Sequence, residues 1–390
     1  MNGKFSGLAK WFERHEPKGK WSWLGSTYEA FHTFAFTPNR VTRQGCHVRD
    51  AVDLKRAMIT VVIALIPAML FGMWNIGYQH YHAVSSTLNS QLSTLNFFWT
   101  CFWFGFLRML PMLAVSYIVG LTIEFSFAQI RHHQVNEGFL VTGFLIPMIV
   151  PVTTPLWQLA LAVAFAVIIG KEAFGGTGMN FLNPALVARA FLFFAYPTRM
   201  SGDNVWIAND LWGTDGVVGA TPLAELAAGV KPSASALDMF IGTIPGSTCE
   251  TSVVAILIGA AILLVTGIAS WRIMLSVIIG GGLMGLVFNQ LQTSNSTLQT
   301  YLELPFYYHY LMGGFMFGAV FMATDPVTAA QTNIGKWIYG LLIGIFAVML
   351  RVINPAYPEG MMLSILLMNC FAPLIDHCVV AQNIRRRKRR

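Results

Sequence analysis

The chain has 390 residues, of which 55% are hydrophobic and only 11% charged, with a mean hydropathy of +0.57. A soluble domain carries roughly 25% charged residues, so this sequence lacks the polar groups to coat a water-facing surface, and it is too hydrophobic for a disordered chain. The formal net charge of +7 does not indicate nucleic acid. Ten of the 25 Lys and Arg precede residue 57 and six form the closing run Arg385-Arg386-Arg387-Lys388-Arg389-Arg390, which is the flanking pattern of positive-inside topology.

The remaining class is an all-α polytopic membrane protein, because the apolar stretches are long and unbroken rather than short and alternating as in a β-barrel. Residues 1–56 read as a cytoplasmic segment in which Trp11, Trp21, Trp23, Tyr28, Phe31, Phe34 and Phe36 alternate with basic residues. That mixture suits the membrane interface, or a shield for a hydrophobic ligand entering from the inner leaflet. No signal peptide is expected, since the first long apolar run starts near Met58.

Ten spans are predicted: Met58–Tyr78, Phe102–Ile123, Gly138–Val150, Leu156–Gly170, Phe181–Tyr196, Ser252–Ser270, Ile273–Phe288, Leu311–Ala323, Trp337–Val352 and Met361–Ile375. Several fall short of the ~20 residues that cross a bilayer, which is permitted for broken or re-entrant segments covered by protein. Basic N- and C-termini on the cytoplasmic side require an even number of spans. Ten spans place Arg131, Lys171, Arg272 and Lys336 in cytoplasmic loops and the polar stretch 197–251 outside. The five cysteines, at 46, 101, 249, 370 and 378, contain no CxxC and suggest neither a disulfide framework nor an autonomous metal or iron–sulfur site.

An ungapped internal repeat runs at an offset of 171 residues. Gly143-Phe144 matches Gly314-Phe315, Thr153 matches Thr324, Pro155 matches Pro326, and Asn183-Pro184-Ala185 matches Asn354-Pro355-Ala356. Five spans per half is an odd number, so the halves, 57–196 and 252–379, are expected to be inverted repeats flanking the loop 197–251, with a basic tail at 380–390. Inverted repeats with short, broken segments at matching positions place a binding site where those segments meet; here they are Gly138–Val150 and Leu311–Ala323. The same inverted five-helix pattern resembles the urea-transporter fold, so a solute channel is the alternative from a different functional class.

Within the outside loop, Asp215-Gly216-Val217-Val218-Gly219-Ala220-Thr221-Pro222-Leu223 sets a hydroxyl among small residues that admit close approach to the backbone. Pro222 biases Thr221 toward an extended conformation. An ordinary turn would read the same way in isolation.

Six strings in order carry a more specific signal: His47-Val48-Arg49-Asp50, Val135-Asn136-Glu137-Gly138-Phe139, Lys171-Glu172-Ala173-Phe174-Gly175-Gly176-Thr177-Gly178, Asn180-Phe181-Leu182-Asn183-Pro184-Ala185, Phe321-Met322-Ala323-Thr324-Asp325-Pro326 and Asn354-Pro355-Ala356-Tyr357-Pro358-Glu359-Gly360. With these the chain resembles the B-type family of membrane subunits in sodium-translocating NADH:quinone oxidoreductases, from about Trp21 to the basic tail. The D-type subunit of ion-pumping ferredoxin:NAD oxidoreductases shares the ten-span core but would lack the long aromatic N-terminal segment. The resemblance implies an inner-membrane subunit of a six-subunit translocase, with A, C, D, E and F type partners and no dinucleotide site of its own, since no G-x-G-x-x-G follows a strand.

The resemblance further implies FMN joined through a phosphoester to Thr221, with Asp215, Gly219 and Ala220 completing the motif that a flavin transferase reads. Val218 stands where the family usually has a hydroxyl residue. Riboflavin, ubiquinone and Na⁺ are the other implied ligands, with lipid around the spans. For riboflavin, which has no phosphate, Gly175-Gly176-Thr177-Gly178 is either a ligand loop or only a tight connection. For quinone the family points to Gly120, Leu121 and Glu124, where Gly120 either opens room for a flat ring or packs helices, and Leu121 replaces a second Gly.

Carboxylates in or near membrane spans are functional hypotheses by default, and a hard cation takes oxygen ligands. Glu29, Glu124, Asp325 and Asp376 are therefore the expected sodium path. Asp325 is the strongest of them, because its repeat-related position is the uncharged Thr154.

Overall fold

The computed structural model describes residues 46, 54–85, 94–131, 138–202, 205–208, 219–291, 296–354 and 360–389, which are largely helical with no strand among them. Glu29, Asp215 and Val218, together with the aromatic segment and the strings at 47–50 and 135–137, lie outside the described residues.

Two long helices open the described chain, α1 (Leu54–Ser85) and α2 (Thr94–Ile130). They are followed by α3 (Phe139–Ile149), α4 (Leu156–Gly170) and α5 (Pro184–Ala195). The connecting region forms the short helices α6 (Pro222–Ala227) and α7 (Ala236–Ile241). The second half contains α8 (Val253–Val265), α9 (Trp271–Asn289), the small α10 (Ser296–Glu303), a broken segment made of α11 (Phe315–Phe317) and a π-turn over Gly318–Met322, then α12 (Asn333–Ile353) and α13 (Gly360–Lys388).

Among the described residues, six helices are long and apolar enough to cross a membrane: those within Arg56–Ala83, Asn96–Ile130, Leu156–Phe174, Trp271–Asn289, Asn333–Ile353 and Gly360–Lys388. The other four predicted spans are α3, α5, α8 and the 315–322 segment, with 11, 12 and 13 residues in the three helices. At 1.5 Å per residue these rise about 16–20 Å against a hydrocarbon core of about 30 Å. Prolines set the end of α3: Pro147 lies inside its last turn, and Pro151 and Pro155 follow, each without a backbone donor.

In the first half α4 packs on α2 and α5, as α12 packs on α9 and α13 in the second; α1 also lies along α2, whereas α8 and α9 form no comparable contact. The first elements of the halves, α1 and α8, cross each other, where Gly259 lies against the Ala64 carbonyl and Phe321. Small residues allow the close crossings: Gly77 and Gly105 abut the backbone at Cys101 and Met73, and Gly280 and Gly344 abut the backbone at Leu341 and Val277. Such stripes drive helix association in lipid, where the hydrophobic effect does not act between helices. Gly344→Val would drive a side chain into the Val277 carbonyl and the Gly280–Gly281 backbone. Its expected result is loss of the folded chain from membranes, read by immunoblot of detergent extracts, whereas a substitution at the exposed Leu286 should leave the yield unchanged.

Two predicted boundaries shift. Helix α13 runs unbroken from Gly360 to Lys388, so residues 380–388 of the predicted basic tail continue a helix. The end of the predicted outside loop folds inward: Ser247, Thr248, Cys249, Glu250 and Thr251 are buried, as is Ser252, the first residue of the predicted sixth span. The reason lies in the broken α3. Its last carbonyls have no intrahelical partner, and exposure to lipid would leave them unpaired. Thr248 Oγ1 donates to the Pro147 carbonyl (2.5 Å), and the Cys249 and Thr248 N–H groups donate to the carbonyls of Met148 (3.0 Å) and Val150 (3.3 Å). In the second half Arg351 does the same work, donating to the carbonyls of His309 (2.7 Å) and Met312 (3.1 Å) just before α11.

Candidate functional site

Polar side chains converge at two places, one at each end of the helices. The outer place is built around Thr221. Its backbone is extended (φ −78°, ψ 155°), as Pro222 requires, and its Oγ1 accepts a hydrogen bond from the Ala224 N–H (3.1 Å) to cap α6. The cap uses a lone pair of the oxygen, so the hydroxyl proton is not spent on it. Gly219 is fixed by contact, because a Cβ there would run into the Ile207 side chain. Thr221, Trp206, Leu223, Ile244, Ser247 and Glu250 line one cavity.

Beneath that cavity lies a charged pair absent from the expected site. Arg189 Nη1 donates to Glu250 Oε1 (2.7 Å), with side chains only 2% exposed on both sides. Arg189 Nη2 reaches Ser247 Oγ (3.3 Å). The sequence did carry a signal: Arg189 and Arg351 sit inside predicted spans, where a charge is costly and functional by default. Neither is a carboxylate, so neither belongs to the predicted sodium path.

The inner place is a cavity between the halves. Lys171, Thr177, Asn180, Asn183, Thr324 and Asp325 contribute its polar groups, and Met58, Val61, Leu145, Leu263 and Phe321 its apolar walls. Asp325 is partly buried; its Oδ1 accepts from the Val327 N–H (3.3 Å) and its Oδ2 from Thr328 Oγ1 (2.9 Å). The repeat-related Thr154 instead bonds its own turn, donating to the Pro151 carbonyl (2.7 Å). Gly175, Gly176 and Gly178 take φ of 116°, 95° and 92°, the left-handed region that favours glycine. The loop turns tightly, and its Thr177 lines the cavity.

Lys171, predicted in a cytoplasmic loop, lies in the turn that ends α4 and is buried, its ammonium paired with Glu124 and lying 5.9 Å from the centre of the Phe139 ring. Arg131 stands beside this pair, donating to the Glu172 carbonyl (2.7 Å). Arg272 bonds Asn333 (3.0 Å), three residues before Lys336. The inner cavity joins Lys171 to Ala269, next to Arg272, so the four basic residues share one end of the helices. Gly120 does admit a flat ring, but the ring is that of Phe139; Leu121 packs half-buried against the core. Asp376 does not reach the cavity. It holds the turn that leads into α12, accepting from the N–H groups of Gln331 (2.7 Å) and Thr332 (3.0 Å) and from Thr332 Oγ1 (2.5 Å).

Broken apolar helices whose freed backbone is satisfied by buried polar segments, beside six helices long and apolar enough to cross a bilayer, mark a polytopic membrane protein. The family model described as NQR2, RnfD, RnfE matches residues 41–385, and the chain belongs to that family. It is 50% identical over 392 residues to the B subunit of the Na(+)-translocating NADH-quinone reductase of Ectopseudomonas mendocina, covering 95% of each chain. It is 49% identical over 396 residues to the protein of the same name from Stutzerimonas stutzeri, covering 96% of each. The Chromohalobacter salexigens protein of that name is 46% identical over 405 residues, covering 98% of this chain and 97% of that one.

Proposed function

We propose that the chain is the B-type subunit of a sodium-translocating NADH:quinone reductase in a bacterial inner membrane. In this reading its ten segments form two inverted five-helix repeats, both termini are cytoplasmic, and A, C, D, E and F type subunits surround it. Thr221 carries FMN, attached by a flavin transferase, and the chain takes part in electron transfer to ubiquinone coupled to Na⁺ export. The observation that carries the reading is Thr221, preceded by Gly219-Ala220, in the wall of a cavity, with a hydroxyl whose proton its own cap does not need.

The residues present suit such a group. Trp206, Leu223, Ile244 and Pro245 give the outer cavity apolar walls, and a buried carboxylate oxygen of Glu250 lacks any hydrogen-bond partner. Bound flavin would supply one- and two-electron redox chemistry; Thr221 would fix its position, so that electron transfer would not depend on a binding equilibrium. Riboflavin, needing amide partners and apolar contact but no phosphate cradle, suits the inner cavity with Asn180, Asn183 and Thr177. Asp325 in that cavity offers oxygen ligands for sodium. Glu29 and Asp215 keep the roles implied by resemblance, and Gly120, Leu121 and Glu124 mark the quinone end of α2.

Thr221→Val is the test. The denatured subunit should fluoresce as a flavoprotein on a gel, and the variant should be dark; fluorescence surviving the substitution would remove Thr221 from the reading.

A further inference from the structure

We propose that Glu250 is a direct ligand of the flavin carried by Thr221, its second carboxylate oxygen accepting a hydrogen bond from a hydroxyl or N–H group of the cofactor. This rests on the reading of Thr221 above. Glu250 is 3% exposed, and its two oxygens have different fates. Oε1 is held by Arg189, whereas Oε2 is buried with no hydrogen-bond partner. Leaving such an oxygen unpaired costs about 1–3 kcal/mol, and more for a charged group, and native proteins hold few of them. A donor from outside the chain relieves that cost.

The placement says where the donor comes from. Glu250 and Ser247 line the same cavity as Thr221, and the segment bearing them is pinned to the end of α3 through Thr248 and Cys249. Arg189 holds the carboxylate from one side and is itself bonded to Ser247 Oγ. On the other stands Gly313-Gly314, at the start of the broken segment, where a Cβ on Gly314 would lie 2.8 Å from Oε2. Glycine at 314 thus keeps side chains away from the oxygen. The apolar walls at Trp206 and Leu223 favour a planar organic group over a hydrated ion.

The Arg189–Glu250 pair is close to neutral as a whole; removing the carboxylate charge would leave the guanidinium unbalanced beside the flavin and favour added electrons, so Glu250 holds the cofactor's midpoint potential down. The experiment is a redox titration of the assembled complex bearing Glu250→Gln, with the Thr221→Val complex subtracted to isolate this flavin. Gln keeps an oxygen for Arg189 but removes the charge. The expected result is covalent flavin still present on the gel, with its midpoint potential shifted upward. Flavin present with an unchanged potential would overturn the role of Glu250 while leaving Thr221 in place; a dark gel from Glu250→Gln alone would also overturn it, by making Glu250 part of the attachment loop's fold. A wild-type subunit without covalent flavin would instead overturn the reading of Thr221. Should Glu250→Gln not assemble, Glu250→Asp keeps the charge for Arg189 and withdraws the oxygen by one methylene; a changed visible flavin spectrum then supports the contact and an unchanged one contradicts it.

Discussion

Asp325→Asn is expected to lower sodium-stimulated quinone reduction by at least about tenfold, corresponding to about 1.4 kcal/mol, while leaving flavin on Thr221. Asp325 and Lys171 are the charged residues that line the inner cavity. Lys171 is already neutralised by Glu124, so Asp325 sets the charge that a cation meets there. The hydrogen bonds it accepts come from Val327 and Thr328 of its own turn, and each carboxylate oxygen has two lone pairs, so acceptor capacity remains. Asn has one such oxygen and no charge. Steady-state rates measured across a sodium titration check the expectation; unchanged turnover and unchanged sodium dependence would take Asp325 off the ion path. Asp376→Asn should behave differently, acting on assembly, because its bonds from Gln331 and Thr332 hold the start of α12.

Breaking the Lys171–Glu124 pair is expected to have the largest effect on stability. Both side chains are 4% exposed, and removing one partner strands a buried charge at a cost of about 3–5 kcal/mol. Lys171→Met and Glu124→Gln should each lower the melting temperature of the purified complex sharply. The double variant should recover most of the loss, since neither charge is then left alone. A double variant as unstable as the sum of the singles would mean that the two residues act independently.

The long helices were legible because their apolar runs exceed a bilayer width, and the short α3 because Pro147, Pro151 and Pro155 punctuate it. The register of Gly143-Phe144 with Gly314-Phe315 pointed to the two broken segments. Much of what supports the sites was not legible, for a common reason: the partners are distant in sequence. Ser247–Ser252 reads as a solvated loop by composition, and only the freed carbonyls of Pro147 and Met148, about 100 residues earlier, draw it inward. Lys171 reads as a loop charge until Glu124 is brought beside it. Asp376 reads as a span-end carboxylate until the turn before α12 presents the Thr332 N–H, 44 residues away. Gly120 reads as room for a ligand, yet α3 lays Phe139 into that notch.

Sodium uptake into inside-out membrane vesicles, started by NADH, tests the central claim most directly, because it separates a redox-driven pump from a channel. Vesicles holding the complex with this chain should accumulate Na⁺ only while NADH is oxidised and quinone is available, and Thr221→Val should abolish the uptake. Sodium or solute crossing vesicles of the purified, colourless chain without NADH, at a rate indifferent to Thr221, would contradict it.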